Sequence, residues 1–202
     1  MLHPKVGTPL LCGIDEVGRG PLAGPVTAAA IVIPNRFDRN TLRDSKKLSE
    51  QARLRIERTL IDSGAWFRLG WAWPHEIDTV NILNASLLAM TRAWRSLWYD
   101  LSSTSGVSES SVEVIVDGIH CPSIAPPCRA VIKGDATVPV VMAASIVAKN
   151  ARDRWMIRYA ERDPRYGFDR HKGYPTADHK QALHIYGPSV IHRRSFRGVL
   201  PR

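Results

Sequence analysis

Two adjacent carboxylates, Asp15 and Glu16, close an apolar run near the start of the chain and are followed at once by the turn Gly18-Arg19-Gly20. Asp and Glu are depleted from strands, and an unpaired buried charge is costly, so this pair needs a compensating cation or partner. Carboxylate oxygens suit Mg²⁺, and a glycine-rich turn suits a phosphate. The stretch therefore predicts a metal site beside an anion-binding turn.

Two further acids follow apolar runs later in the chain: Asp117 closes the fourth predicted strand and Asp135 comes just past the fifth. Because ligands of open α/β sheets gather at strand ends, we expect the four carboxylates to converge. Hard oxygen ligands select Mg²⁺ or Mn²⁺, and two such ions about 3.5 to 4 Å apart can hydrolyse a phosphodiester. Any one of these acids alone is also explained as a turn residue or a surface ion pair.

Neighbouring residues of a regular strand point to opposite faces, so Asp15 and Glu16 cannot both face one point from such a strand. Either the glycine-rich exit bends the chain, or Glu16 lies at the rim of the site. Residues 18–23 also fit the dinucleotide pattern G-x-G-x-x-A. That pattern must open a helix, whereas Pro21 and Pro25 interrupt here and a β-branched strand follows, so the dinucleotide interpretation is rejected.

The elements that must position these residues follow from hydrophobic periodicity and from start and stop signals. Strands are predicted at 10–14, 26–33, 66–73, 112–116 and 130–132, and helices at 49–63, 137–161, 176–186 and from residue 78 or 81 to about 101. Trp94 and Trp98 of the long helix are expected in the core. The pattern predicts a mixed α/β sheet with helices packed on it, in a single domain spanning 1–202 with a C-terminal helical, basic part at about 160–202.

Charge is unevenly distributed along the chain. The formal net charge is +9; residues 1–128 hold 13 basic and 13 acidic side chains, whereas residues 129–202 hold 15 basic and 6 acidic ones. A polyanion-binding surface would need this concentration, although solubility alone is an alternative explanation. Three cysteines without Cys-x-x-Cys spacing, and no secretory or membrane-spanning pattern, lead us to expect a cytoplasmic protein.

Several ordered motifs resemble the type II ribonucleases H, in particular bacterial ribonuclease HII. They are Gly-Ile-Asp-Glu-Val-Gly-Arg-Gly at 13–20, Asp44-Ser45-Lys46, Val116-Asp117-Gly118, Lys133-Gly134-Asp135, Ala-Ser-Ile-Val-Ala-Lys at 144–149, Lys172-Gly173-Tyr174 and His-Arg-Arg-Ser-Phe at 192–196. The resemblance implies an RNase H-like fold with a five-stranded mixed sheet flanked by helices. It also implies cleavage of RNA in RNA/DNA hybrids, and 5′ of single ribonucleotides in duplex DNA, leaving 5′-phosphate and 3′-hydroxyl ends.

Carried onto this sequence, the resemblance assigns metal binding and catalysis to Asp15, Glu16, Asp117 and Asp135, with water as the nucleophile. It assigns reading of the ribose 2′-hydroxyl to Gly18, Arg19 and Gly20, where glycine allows close backbone approach. Tyr174 would stack on the next sugar and report the RNA-to-DNA junction; the alternative is a plain core aromatic.

Lys46, Ser145, Lys149 and Arg152 are candidate contacts to DNA phosphates. The last three share one helical face at offsets of four and seven residues, although a solvated charged face is the commonest cause of such a pattern. His171, His179, His184 and His192 lack zinc-like spacing, so phosphate-binding or structural roles are expected, and one of them is a candidate proton donor to the leaving oxygen.

One residue departs from the family pattern: Ile119 stands where asparagine usually follows Val-Asp-Gly, which puts the hydrogen bonding of that loop in doubt. Few residues precede Gly13 and few follow Phe196, which disfavours the related ribonucleases HIII and a clamp-binding tail, and we expect a monomer. The competing interpretations are a DNA-directed nuclease or recombinase on the same fold and a non-catalytic basic nucleic-acid-binding module.

Overall fold

A five-stranded sheet forms the centre of the computed structural model, which describes residues 10–42, 49–105 and 107–200. Its order is β3-β2-β1-β4-β5, built from β1 (Leu10–Val17), β2 (Val26–Val32), β3 (Trp66–Ala72), β4 (Val112–Asp117) and β5 (Cys128–Val131). The pairs β1–β2 and β2–β3 are antiparallel, and β1–β4 and β4–β5 are parallel. The predicted mixed sheet is confirmed.

Helices cover both faces of the sheet. They are α1 (Glu50–Asp62), α2 (Pro74–Ser105), α3 (Gly134–Thr137), α4 (Pro139–Arg162), α5 (Phe168–His171) and α6 (Ala177–Tyr186). One buried cluster joins α2 to the sheet and contains Trp94, with Trp98 packed against it, so the core assignment of both tryptophans is confirmed. A second cluster joins α4 to the other face, and a third packs α5 and α6 on the end of α4.

Gly13 brings α4 directly against β1. A Cβ at this position would lie 2.3 Å from the backbone carbonyl of Val140, so any side chain would push the helix away from the strand. Because Asp15 lies two residues further along the same strand and face, this contact sets the distance between Asp15 and α4.

Local hydrogen bonds fix where several helices begin. Ser49 caps α1 by accepting the N–H of Ala52 over 3.2 Å, and Thr176 caps α6 through His179. Asn81 interrupts α2 with φ 68° and ψ 170°, and its side chain accepts the N–H groups of Leu83 and Asn84. The long helix therefore consists of two segments, and the second begins at one of the two predicted starts.

The first strand is longer than predicted. It continues through Val17, because pairing with β2 extends past Asp15 and Glu16 to Val17 opposite Thr27. Ladder hydrogen bonds join backbone groups and do not depend on side-chain polarity, so the apolar run marked the end of the core pattern and not the end of the strand. Across the described part of the chain, none of the helices has the length and apolarity needed to cross a membrane.

Candidate active site

Asp15 and Glu16 extend from opposite faces of β1, so the strand does not bend to bring them together. Asp15 is 4% exposed, faces α4 and is hydrogen-bonded to the hydroxyl of Ser145. Its Oδ1 also accepts the N–H of Glu16 over 2.8 Å. Glu16 instead lines a cavity beside α2, and the regular pairing of β1 with β2 through Val17 excludes the bent strand that was one of the two alternatives.

Asp117 lies between these two carboxylates. The parallel register sets Ile14 beside Val116, which places Asp117 next to Asp15 at the end of the neighbouring strand. Asp117 also lines the same cavity as Glu16, a cavity of about 320 Å³. The sheet topology thus brings the acids of the first and fourth strands to one edge.

Asp135 follows the fifth strand in the short helix α3. Its N–H donates to Oδ1 of Asp117 over 3.3 Å, so the backbone of residue 135 is tied to the Asp117 carboxylate. The structure therefore places the backbone of residue 135 beside the Asp117 carboxylate, and Asp117 is the acid whose charge acts on both Asp15 and Glu16.

The electrostatics of this edge favour a cation. Burial raises the pKa of Asp15 well above its usual range, and repulsion from Glu16 and Asp117 raises it further, against the Ser145 hydrogen bond. Burial also raises the pKa of Glu16, while Arg19, with Nη1 3.1 Å from Oε1 of Glu16, opposes that rise. A positive charge here would relieve both the desolvation and the repulsion.

The donor set fits a hard divalent cation, since every candidate ligand is a carboxylate oxygen. Within residues 10–42, 49–105 and 107–200, however, no three Asp, Glu, His or Cys side chains form a group already closed around one point. The carboxylates are neighbours that would have to converge on an ion.

The glycine turn (Gly18, Arg19 and Gly20) follows β1 beside these acids. A buried arginine binds its backbone carbonyls. Arg193 donates to the carbonyl oxygens of Gly18 over 2.6 Å, Arg19 over 2.9 Å and Gly24 over 2.9 Å. Gly18 has φ 91°, and a Cβ there would lie 2.9 Å from the carbonyl oxygen of Pro25. Glycine is required at this position by both conformation and space.

Tyr174 lies against this turn. The tyrosine loop (Lys172, Gly173 and Tyr174) is docked on the chain just after the turn, where Leu22 donates its N–H to the Gly173 carbonyl over 2.8 Å. Cε1 of Tyr174 is 3.7 Å from the place a Gly20 Cβ would take, and the side chain is 40% exposed. That exposure argues against a plain core aromatic.

The structure corrects the assignment of Arg152 as a phosphate contact. Arg152 is fully buried, and its guanidinium donates to the carbonyls of Pro25 over 2.9 Å, Lys172 over 3.0 Å and Ala23 over 3.1 Å. Burial lowers the pKa of Arg152 to about 10 and that of Arg193 to about 9. Two of the basic residues counted in the last third of the sequence therefore lie inside the protein.

The other predicted phosphate contacts have different surroundings. Ser145 is hydrogen-bonded to Asp15, and Nζ of Lys149 lies 2.8 Å from Oδ1 of Asp153. On the helical face that they share, Ser145 thus contacts the Asp15 carboxylate and Lys149 pairs with an acid of α4 itself. Lys46 falls outside the described residues.

None of the four singled-out histidines lines the cavity that holds Asp117. His171, His179 and His192 form a cluster under the tyrosine loop, and His184 is exposed on α6. The cavity is instead lined by His120 and by Ile119, which is 69% exposed. Their place directly after Val-Asp-Gly was the signal that could have identified them.

Comparisons with known proteins identify the family and the fold of this chain. The sequence pattern of the family described as ribonuclease HII matches residues 12–199. Ribonuclease HII of Treponema denticola is 48% identical over 193 residues, which cover 93% of this chain and 98% of that protein.

Two solved structures share the fold. The ribonuclease H2 of Pyrococcus horikoshii OT3 is 25% identical, with a TM-score of 0.69 and 94% of each chain covered. Bst-RNase HIII, solved in complex with Mn²⁺, is 17% identical with a TM-score of 0.65, covering 90% of this chain and 71% of that one. With its sheet of order β3-β2-β1-β4-β5 and its acids at the edge of that sheet, this chain belongs to the ribonuclease HII family and is an endonuclease of the ribonuclease H class.

Proposed function

We propose that this ribonuclease H hydrolyses the RNA strand of RNA/DNA hybrids and cleaves 5′ of single ribonucleotides embedded in duplex DNA. The observation that carries the proposal is that Tyr174 lies against the glycine turn, whose Arg19 pairs with Glu16 and lines the same cavity as Glu16 and Asp117. A nuclease that must find one ribose in DNA needs its sugar-reading groups adjacent to its hydrolytic groups.

Asp15, Glu16, Asp117 and Asp135 are proposed to hold Mg²⁺ or Mn²⁺, two ions being engaged with substrate. When bound, such ions supply an activated water and stabilise charge on the departing oxygen. The Mn²⁺ complex of the Bst-RNase HIII neighbour supports divalent metal use here. Ser145 orients Asp15, and the N–H of Asp135 orients Asp117.

The backbone of the glycine turn is proposed to form hydrogen bonds with the ribose 2′-hydroxyl, as donor and as acceptor. Tyr174 is proposed to stack on the next sugar. Arg193 keeps the turn's carbonyls in place, so the turn does not have to be ordered when substrate binds. His120, in the cavity beside Asp117, is the histidine to test as proton donor to the leaving oxygen.

We also propose that residues 1–202 act as one monomeric catalytic domain in the cytoplasm, with ribonucleotide-containing duplexes as the binding partners. The free thiols of Cys12, Cys121 and Cys128 support a reducing compartment. Phosphate contacts by Lys46 and Lys149 remain part of this proposal.

The decisive experiment incubates the protein with all-DNA, single-ribonucleotide and RNA/DNA hybrid duplexes, each with EDTA, Mg²⁺ or Mn²⁺. We expect metal-dependent cleavage of the second and third duplexes, with 5′-phosphate and 3′-hydroxyl products. Cleavage of the all-DNA duplex would favour a DNA-directed nuclease, and binding without cleavage would favour a basic binding module. A hybrid-only activity would remove the single-ribonucleotide substrate.

A further inference from the structure

His179 and His192 form a buried, directly hydrogen-bonded pair under the tyrosine loop. Their Nε2 atoms are 3.0 Å apart, and the two residues are 0% and 2% exposed. The remaining ring nitrogen of each histidine contacts backbone: Nδ1 of His179 lies 2.9 Å from the carbonyl oxygen of Tyr174, and Nδ1 of His192 lies 2.9 Å from the backbone nitrogen of Ser189. Every ring nitrogen of the pair therefore has a partner.

These partners fix the tautomer of each ring. A carbonyl oxygen can only accept, so His179 must carry its proton on Nδ1 and accept at Nε2. A backbone N–H can only donate, so His192 must accept at Nδ1 and carry its proton on Nε2. The hydrogen bonds then run in one direction, from Ser189 through His192 and His179 to the Tyr174 carbonyl. An extra proton on either ring would set two N–H groups against each other.

One member of the pair, His192, belongs to the segment that also holds the glycine turn. His192 forms a backbone bridge to Ala23, and the next residue, Arg193, donates to the carbonyls of Gly18 and Arg19. Two adjacent side chains thus have different partners. Arg193 binds the carbonyls of the turn, whereas His192 binds His179, which binds the carbonyl of Tyr174.

We propose that His179 and His192 are positioning residues that keep Tyr174 in register with the glycine turn, and so set the preference for a ribose at an RNA–DNA junction. This inference rests on the proposed roles of the turn and of Tyr174. The histidines do not touch the substrate; they act through the Tyr174 backbone.

The surroundings contain few groups that could compete for these protons. His171 stacks on His179 at 4.5 Å and is itself committed, with Nε2 2.7 Å from the Tyr166 carbonyl oxygen and Nδ1 accepting the N–H of Gly173. The acid facing His192 is Asp163, which is paired with Arg165 over 2.7 Å. The Ser189 hydroxyl lies 2.9 Å from Nδ1 of His192, and the ring of Tyr166 packs against His192 while its hydroxyl donates to the Gly187 carbonyl.

The first test needs no mutant. Long-range ¹H–¹⁵N NMR spectra of ¹⁵N-histidine-labelled protein at pH 7 report the tautomer of each ring. We expect a neutral Nδ1–H form for His179 and a neutral Nε2–H form for His192, each identified by its loss from the matching His→Gln variant. A charged ring, or the same tautomer at both positions, would overturn the inference whatever the activity.

The second test compares two substitutions at one site. In His192→Gln the amide nitrogen reaches the place of Nε2 and still donates to His179, whereas in His192→Asn the oxygen replaces Nδ1 and the donor to His179 is lost. We expect His192→Asn to lower kcat/KM on the single-ribonucleotide duplex about fivefold more than on the hybrid, the factor set by roughly 1 kcal/mol. His192→Gln should keep the wild-type ratio, as should His184→Asn on the exposed face of α6.

Equal substrate ratios in His192→Asn and His192→Gln would overturn the inference, provided that the wild-type protein cleaves both duplexes. If the wild-type protein cleaves neither, the proposed function itself fails, and the two failures are thus distinguishable. Should His192→Asn not fold, the tautomers of the wild-type protein can still overturn the inference.

Discussion

The N–H of Asp135 donates to the carboxylate of Asp117 over 3.3 Å and so joins the turn after the fifth strand to the end of the fourth. Asp117 is also the acid that lies near both Asp15 and Glu16. Removing the charge of Asp117 while keeping the shape of its side chain should therefore weaken metal binding by the whole group of acids.

We predict that Asp117→Asn lowers cleavage of both ribonucleotide-containing duplexes by about 100-fold or more, because a neutral amide binds Mg²⁺ poorly. Initial rates at saturating Mg²⁺ measure the effect, with circular dichroism to verify the fold. Glu113→Gln removes a charge from the same strand, at an exposed ion pair with Arg129, and should retain activity. Undiminished cleavage by a folded Asp117→Asn protein would refute the assignment.

Ser145→Ala should raise the Mg²⁺ concentration needed for half-maximal activity by about tenfold, the lower end of the effects seen when a residue that supports a metal ligand is removed. The hydroxyl of Ser145 stabilises the charged form of Asp15, so its loss makes that carboxylate a weaker ligand. Metal titrations of the cleavage rate test this. Ser103→Ala, an exposed serine of α2, is the control, and an unchanged Mg²⁺ requirement would argue against the role of Ser145.

Arg152→Lys should lower the free energy of unfolding by about 2 to 4 kcal/mol, because a lysine donates from a single nitrogen and does not reproduce the fork of three guanidinium nitrogens that reaches three separate carbonyls. Arg158→Lys, at an exposed position of the same helix, should change it by less than about 0.5 kcal/mol. Urea unfolding measures both. A stable Arg152→Lys protein with weakened, less salt-dependent DNA binding would instead restore the phosphate-contact interpretation.

Tyr174→Ala should lower kcat/KM on the single-ribonucleotide duplex by about tenfold, within the range of aromatic stacking on nucleotides, and should affect the hybrid less. Tyr174→Phe, which keeps the ring, should behave like the wild-type protein. Tyr99→Ala removes a tyrosine that is 75% exposed on α2 and serves as the control. The same loss on both duplexes would remove the junction-reading role.

The stability of the protein should fall with acid through His192. Burial, and to a lesser extent the neighbouring His179, lower the pKa of His192 from 6.5 to about 4. The unfolded chain therefore takes up a proton below about pH 6.5 that the folded protein refuses until about pH 4, so stability present at pH 7 is lost across that interval, by up to about 3 kcal/mol.

Urea unfolding of the wild-type protein and of His192→Gln between pH 7 and pH 4.5 isolates this contribution. The wild-type free energy of unfolding should fall more steeply than that of the variant, while His184→Gln should retain the wild-type slope. Parallel curves for the wild type and His192→Gln would show that His192 is not held neutral.

The sheet and the gathering of Asp15, Glu16 and Asp117 at one of its edges were predictable because they follow simple rules. Apolar runs of strand length predict the five strands, and acids at their ends predict a cation site. The end of β1 was not predictable, because pairing with β2 carries the strand through Asp15 and Glu16. Glu16 on the α2 side of the sheet follows from strand geometry once that pairing is known.

The buried arginines could not be read from helical spacing, which places a cation on a face without saying what covers that face. A partial signal was present in α4: eight residues between 140 and 148 are apolar and buried, as in a helix enclosed on all sides. A cationic side chain on such a helix is surrounded by protein, so its hydrogen-bond partners are protein carbonyls and not water. The roles of Arg193, His179 and His192 depend on contacts across the fold, so the motif at 192–196 marked two of these residues without saying what they hold.

The hydrogen bond from Arg193 to Gly18 joins residues 175 positions apart. During synthesis, the glycine turn is therefore made well before the guanidinium that holds it. A chain stopped before residue 193 would carry the Asp15, Glu16, Asp117 and Asp135 carboxylates together with a turn that lacks its support. The order of synthesis thus delays completion of the sugar-reading site until after the hydrolytic acids are in place. A prematurely terminated chain should therefore discriminate poorly between ribonucleotides and deoxyribonucleotides.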